Sequence, residues 1–426
     1  MKNSLTTASS LGSKRMKKET EMILSKLRQS FLTSEDKKSL LHSINSENYN
    51  KITDETLPTN KNESFKYFPI KKTLEHLKDS LLLEKNTEFS TRSQQLLVDK
   101  SQFSLLFING QLSSSFPMPK GLSILAIDKI KDKELVCKKT STEDDFFSQL
   151  NSAHMRNGCV IKVEDNTQID KPINLIYLNL PNSNKSSLFI RNYIKLGANS
   201  KCTIYENYLS TQKKEASQTY FINTQSDIHL LEGASLTHTR LEADAANSQH
   251  IGCTRVIQEK DSRLKSLSFS QGASISRQTS SIELNGTGAS VELDGLYLGS
   301  KRKIQDHYTH INHNASYTKS SQLYKGGIGA EAKGSYLGAI CVAKNLKKIS
   351  AHQLSRSLLL SNKADAKSRP QLQIDSDDVK CNHGATISQL NNTELLYLRS
   401  RGINEKKATK MLTLAFIDEL SKKHQL

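Results

Sequence analysis

Apolar residues recur along this chain with two periods, which divide it into three regions. From about residue 17 to 86 the period is helical. Met22, Ile23, Leu27 and Phe31 share a face, Leu40 and Leu41 follow a polar break, and Ile70, Leu74, Leu77 and Leu81 predict a second helix. Pro58 and Pro69 bracket the segment LPTNKNESFKYFP, which is expected to be extended or turn-like. From about residue 94 to 378 the pattern shortens to strands, among them Leu105–Ile108, Cys159–Val163, Asn174–Leu178, Cys202–Tyr205, Leu264–Phe269, Ser281–Leu284 and Val291–Leu298. No proline falls between Pro181 and Pro370, so little interrupts a ladder there. One helical stretch, Asp144–Ala153, precedes the densest strands. The tail is helical again: Thr393 is positioned to cap LLYLRSR, Gly402 to close it, and Asn404 to cap a second helix with Ala408, Met411, Leu412 and Ala415 on one face.

A small-residue turn recurs between the strands, at Gly197-Ala198-Asn199-Ser200, Gly233-Ala234-Ser235, Gly272-Ala273-Ser274 and Gly288-Ala289-Ser290. Glycine supplies the backbone angles a corner needs, and Ala or Ser keeps that corner thin enough to stack. The spacing is irregular but near one or two times a solenoid repeat of about 20 residues. A β-sandwich array and a β-helix both accommodate such a region; the β-helix is favoured because stacked coils need no crossover helices. The predicted organisation is an N-terminal helical domain with a basic, disordered start (1–93), a β-helix core (94–386) and a C-terminal helical hairpin (387–426).

Composition supports an elongated molecule. Hydrophobic residues are 36% of the 426 and aromatics 6%, with no Trp, which suits thin coils better than one large spherical core. The formal charge of +17 invites a nucleic-acid reading, but the basic residues are spread out, with small clusters at Lys14–Lys18, Lys301–Lys303 and Lys406–Lys410. A solvated surface or an acidic partner fits that spread better than nucleic acid. Cys137, Cys159, Cys202, Cys253, Cys341 and Cys381 form no CxxC pair, so free thiols in a reducing compartment are expected. No apolar run approaches the roughly 20 residues of a membrane span. The acid-free start, rich in Ser and Lys, has the composition of a basic tail or of an organelle transit peptide.

The densest chemistry lies in Asp377-Asp378-Val379-Lys380-Cys381-Asn382-His383-Gly384-Ala385-Thr386. Cys381 and His383 are two residues apart, so a strand projects both to the same side. Thiolate and imidazole so placed suit iron or zinc, or a nucleophile and its base; a buried Cys beside a surface His is the plainer alternative. Two ligands do not complete a site that usually takes four, so the others must come from elsewhere. In Asp306-His307-Tyr308-Thr309-His310-Ile311-Asn312-His313, a strand would place His307 and His313 on one face and His310 on the other, which favours a flank or interface over a metal. Walker, dinucleotide, GxSxG and HExxH motifs are absent, so no nucleotide is expected to be bound by this chain. A carbohydrate-active β-helix would need clustered carboxylates, and only Asp375, Asp377 and Asp378 are dense.

DDVKCNHGAT followed by LLYLRSRGINEKKATKMLTLAFIDEL resembles the C-terminal signature of the SufB/SufD family of Suf iron–sulfur assembly proteins. SSQLYKGGIGAEAKGSYLG, SRSLLLSNKADAKSRPQLQID and LPTNKNESFKYFPI resemble it too, although Phe65 stands where the family expects Trp. The likeness runs from about Leu57 to Leu420. The Cys-x-His-Gly-Ala-Thr form is similar to one of the family's two subunit types; the other carries Glu-His-Glu-Ala-Thr. The resemblance implies a mainly β protein, a right-handed parallel β-helix flanked by N- and C-terminal helices, without catalysis of its own. It also implies pairing with a SufB-like subunit, docking of a SufC-like ATPase on the C-terminal helices, and a transient iron–sulfur cluster shared with the partner subunit. His383 is then the candidate ligand, with Cys381 beside it, and Leu398, Arg401, Met411 and Leu412 are candidate ATPase contacts. Bacterial cytoplasm is the expected compartment, ahead of plastid stroma, with neither membrane nor nucleic acid as partner.

Overall fold

The computed structural model describes residues 40–52, 57–78, 101–114, 116–130, 145–180, 186–210 and 219–424, with residue 25 and the backbone of 81–82. The helix expected through Met22, Ile23, Leu27 and Phe31, the basic start and Cys137 lie outside the described residues.

The chain winds as a mainly β, parallel solenoid. From Cys159–Val163 onward successive strands alternate between two ten-stranded sheets, so each pairs in parallel with the strand two further along the chain. Every expected strand lies within an observed one; Leu264–Phe269, for example, falls inside Arg263–Ser270. Equivalent positions of successive coils are 26 to 34 residues apart, from Gln249–Ile275 at 26 through Arg277–Asp306 at 29 to Ser186–Tyr220 at 34. One coil therefore takes two strands and two corners, longer than the 20-residue repeat the turn spacing suggests.

The corners stack as a ladder of left-handed residues. Asn166, Asn199, Gly233, Asp261, Gly288 and Tyr317 all have positive φ, and backbone bonds tie each of these corners to the next coil. Gly233 is required there for two reasons: its φ is +68°, and a Cβ would come within 2.3 Å of Asn199 Oδ1. Gly288 (φ +79°) meets Asp261 Oδ1 in the same way, so small residues at these corners set the stacking distance.

Inside the coils the walls are apolar, from Leu105 and Phe107 through Ile204, Ile228 and Val256 to Ile328 and Tyr336. The middle is not. Strand Ser235–Ala243 alternates in burial, and the residues it turns inward are Leu236, His238, Arg240 and Glu242. Glu206 accepts from Ser226 Oγ at 2.7 Å and from Tyr208 at 3.0 Å, with His238 Nε2 at 3.5 Å. Burial opposes its charge, but those partners and Arg240 outweigh it and hold the carboxyl down at about 2. The lean composition thus reflects a polar, hydrogen-bonded lumen as much as thin coils.

Helices flank the solenoid: α1 (Leu40–Tyr49), α2 (Ile70–Lys78), α3 (Phe146–His154), α4 (Asn392–Ser400) and α5 (Glu405–His424). The helix through Ile70 stops at Lys78, and Leu81–Leu82 is instead a short strand paired with Ser186–Ser187. Phe65, Phe68, Leu74 and Leu77 pack with Phe147, Phe221 and Ile275 on the outside of one sheet. Arg277 is buried there, 4.1 Å from the Phe65 ring centroid and ion-paired to Asp306. That stacking gives Phe65 an aromatic job at the position where the family expects Trp. α4 is capped by Asn391, which accepts from Thr393 N–H, rather than by Thr393 itself. Gly402 (φ +81°) and Asn404, accepting from Lys407 N–H, act as expected.

Candidate functional site

The two ends of the solenoid are finished differently. At the N-terminal end Gln111–Ser114 and Leu122–Ala126 pair antiparallel with their neighbours and close the sheets. At the other end Asp365–Ile374 and Asp378–Gln389 are the outermost strands, each paired on one edge only. Pro370, lacking an N–H, lies in one of them, where an edge strand tolerates it.

Cys381 and His383 belong to strand Asp378–Gln389. Its pairing with Lys347–Leu359 sets Val379, Cys381, His383, Ala385 and Ile387 beside Ile349, Ala351, Gln353, Ser355 and Ser357. Those partners are the buried, inward row of their strand. The terminal row therefore faces the lumen, with no further coil above it. Cys381 is half-buried against Ile340, Val342, Ile349 and Ala351, and burial pushes its thiol up. His383 is exposed, as are Ile387 at 45% and Ile374 at 37%. An imidazole beside exposed isoleucines, at an edge with unused backbone groups, is a surface awaiting more protein. Beneath it Gln353 Nε2 donates to Tyr336 at 2.9 Å, and Tyr336 and Thr309 donate to Gln322 Oε1 at 3.1 and 2.7 Å. The floor of the site is thus a fixed polar relay.

The other histidine run does not converge. His307 is inside the coils, stacked on Tyr297 at 4.8 Å, and burial together with Arg240 and Arg277 lowers it to about 3. His313 is also internal, between Thr318 Oγ1 (2.7 Å) and Ser320 Oγ (2.9 Å), and burial lowers it to about 4. His310 points to the outer face, as strand alternation requires, so the run lines the lumen more than any flank. Asp375, Asp377 and Asp378 are exposed at the corner between the last two strands.

One cluster escaped the sequence reading. Glu242, Asp244 and His250 are buried, with one potential ligand atom from each within 4.8 Å of the others. His250 Nδ1 lies 2.6 Å from Asp244 Oδ2, and its Nε2 meets Arg240. Arg240 and the nearby Lys303 offset the two carboxylates, while Glu242 Oε2 is buried without a hydrogen-bond partner. Its members lie at a strand end and across a corner, a juxtaposition with no sequence signature.

α5 docks by its C-terminal half. Leu420 is buried with Leu296 and Leu323, Lys325 Nζ reaches Phe416 O at 2.7 Å and Glu419 at 2.5 Å, and Lys423 and His424 both lie 2.7 Å from the buried Asp294. The other half is mostly exposed, with Ala408 its one buried residue. Met411 and Arg401 are exposed, while Leu398 and Leu412 are half-buried. Leu396, Tyr397 and Leu414, which spacing did not single out, are exposed as well. Ala408 and Leu420 are the buried residues of α5, whereas Met411 and Ala415 are exposed.

Fold and site together define a β-solenoid capped at one end, left open at the other, and bearing a thiol and an imidazole on the open one. The model of the SUF system FeS cluster assembly SufBD core domain matches residues 179–416. The chain is 32% identical over 337 residues to an iron–sulfur cluster assembly SufBD family protein of Synechocystis, covering 76% of this chain and 74% of that one. To the iron–sulfur cluster assembly protein SufD of Escherichia coli it is 26% identical over 368 residues, 86% and 85% of the two chains. To the chloroplastic protein ABCI7 of Arabidopsis thaliana it is 28% identical over 286 residues, 66% and 59%. The chain belongs to the SufBD family of iron–sulfur cluster assembly proteins, and within it to the SufD type. Among the described residues no helix is long and apolar enough to cross a membrane.

Proposed function

We propose that this chain is a non-catalytic scaffold subunit that pairs through its open coil with a SufB-like subunit and docks a SufC-like ATPase on α4 and α5. The observation that carries the reading is the inward row Cys381, His383, Ala385 and Ile387, left without a covering coil. A partner strand laid against that edge would satisfy its backbone and cover Ile374 and Ile387. It would also bring further ligands to His383 and Cys381, so that an iron–sulfur cluster is held transiently between the chains as cargo. On this reading the chain binds no nucleotide itself and works in a reducing compartment such as the bacterial cytoplasm. Leu398, Arg401, Met411 and Leu412, with Leu396, Tyr397 and Leu414, form the ATPase contact.

His383→Ala tests the site directly. Co-expressed with its partners, the variant is expected to form the complex in normal yield while the visible absorption of bound cluster is lost. Unchanged cluster content would remove His383 from the chemistry, and a chain that captures neither partner would remove the scaffold reading itself.

A further inference from the structure

The outer face of the sheet that holds Ile275–Leu284 and Asp365–Ile374 carries a second Cys/His pair, remote in character from the first. On neighbouring strands Ile304–His313 and Lys333–Val342, His310 Nε2 lies 3.4 Å from Cys341 Sγ. The imidazole is buried and stacked beside Tyr308, with ring centroids 6.4 Å apart, so its position is fixed. The sulfur is only half-buried, and its other neighbour is Gln373 Oε1 at 4.0 Å. The remaining described cysteines are placed against reactivity. Cys159 and Cys202 are sealed in the core, where burial pushes both thiols up to about 12. Burial also raises Cys253 and Cys381.

A thiol reacts as its thiolate, and a fixed imidazole within hydrogen-bond reach is the ordinary means of making one. We propose that Cys341 is a peroxide-sensitive thiol for which His310 is the proton acceptor. His310 takes the S–H proton, and the thiolate attacks the distal oxygen of a hydroperoxide. The O–O bond breaks as the S–O bond forms; sulfur is oxidised and the peroxide reduced, leaving as alkoxide or hydroxide. That leaving group recovers the proton from the imidazolium, so thiol and hydroperoxide become sulfenic acid and alcohol or water. The proposal stands whether or not the open coil pairs with another chain.

The test treats the full-length protein with hydrogen peroxide, traps sulfenic acid with dimedone and maps the label by mass spectrometry. Cys341 is expected to label first, ahead of Cys381 and Cys137. His310→Gln should slow it by about tenfold while leaving the Cys381 rate unchanged, and Cys341→Ser should remove the leading label. Should the glutamine variant melt early, the wild-type pH profile decides. A rate already high at pH 7 supports the assisted thiol; one that climbs with pH up to about 8.5, as an unassisted thiol would, overturns it. Labelling of Cys381 as fast as Cys341, or an unchanged rate in a folded His310→Gln variant, overturns it as well.

Discussion

The first and last coils belong to the same parallel ladder, yet only the first is complete. Phe107 and Leu105 are fully buried beneath antiparallel strands that end the sheets, and Phe107 stacks on Tyr177 at 4.6 Å. Ile387 and Ile374 occupy comparable rows at the other end and face solvent. A parallel solenoid has no intrinsic stop, because each coil presents the next with the edge it was itself laid upon. Antiparallel pairing ends that propagation at one end, whereas the other keeps its template. The difference therefore belongs to assembly rather than to folding.

Substituting one residue at each end would break that comparison most sharply. Phe107→Ala should cost about 3–5 kcal/mol and lower the melting temperature, since a buried aromatic is removed from a closed core. Ile387→Asp should leave the melting temperature of the isolated chain nearly unchanged, because the side chain is already in water. The same substitution should abolish co-purification with a SufB-like subunit by placing a charge in the covered layer. Equal destabilisation by the two variants would mean that the open end is packed in the free chain.

The strands and the site residues of the open end were legible in advance; which end is closed was not. The strands were found because Cys159–Val163 and Val291–Leu298 are dense in β-branched and aliphatic residues between glycine corners, and Cys381 and His383 because a specific signature surrounds them. The polar lumen was not legible. In SLTHTRLEA the inward positions are Leu236, His238, Arg240 and Glu242, while Thr237, Thr239 and Leu241 face out. Alternation reports which residues share a side, but with polar residues on both it does not say which side is buried. The docking face of the tail was not legible for a related reason. α5 carries apolar residues on more than one face, and the face that docks is chosen by Lys325 and Asp294, far away in sequence.

A smaller effect is expected where α5 meets the sheet. Asp294 is fully buried, accepts from Leu323 N–H at 3.1 Å, and holds Lys423 and His424. Asp294→Asn keeps its shape but leaves the two basic side chains without their carboxylate. Lys423 can turn toward water, so the expected loss is about 1–2 kcal/mol, below that of a sealed pair. Hydrogen exchange should quicken in residues 416–424 and stay unchanged in Asp378–Gln389. Faster exchange in both would mean that the tail helix also supports the open coil.

The smallest effect is a pH dependence that separates the same two regions. The hydrogen bond from Lys325, with help from Arg356 and Lys423, holds the Glu419 carboxyl below its usual range. A carboxyl depressed in the folded state lends stability that is fully present above its unfolded value, near 4.3, and is lost as pH falls through the lower folded one. Protection of α5 should therefore be flat from pH 7 to about 5 and weaken below about 4. Because Glu419 is half exposed, the change should be slight, and Glu419→Gln should flatten it. Among the described residues strand Asp378–Gln389 has only the exposed Lys348–Asp378 pair, so a matching acid transition there would mean that one titration governs both regions.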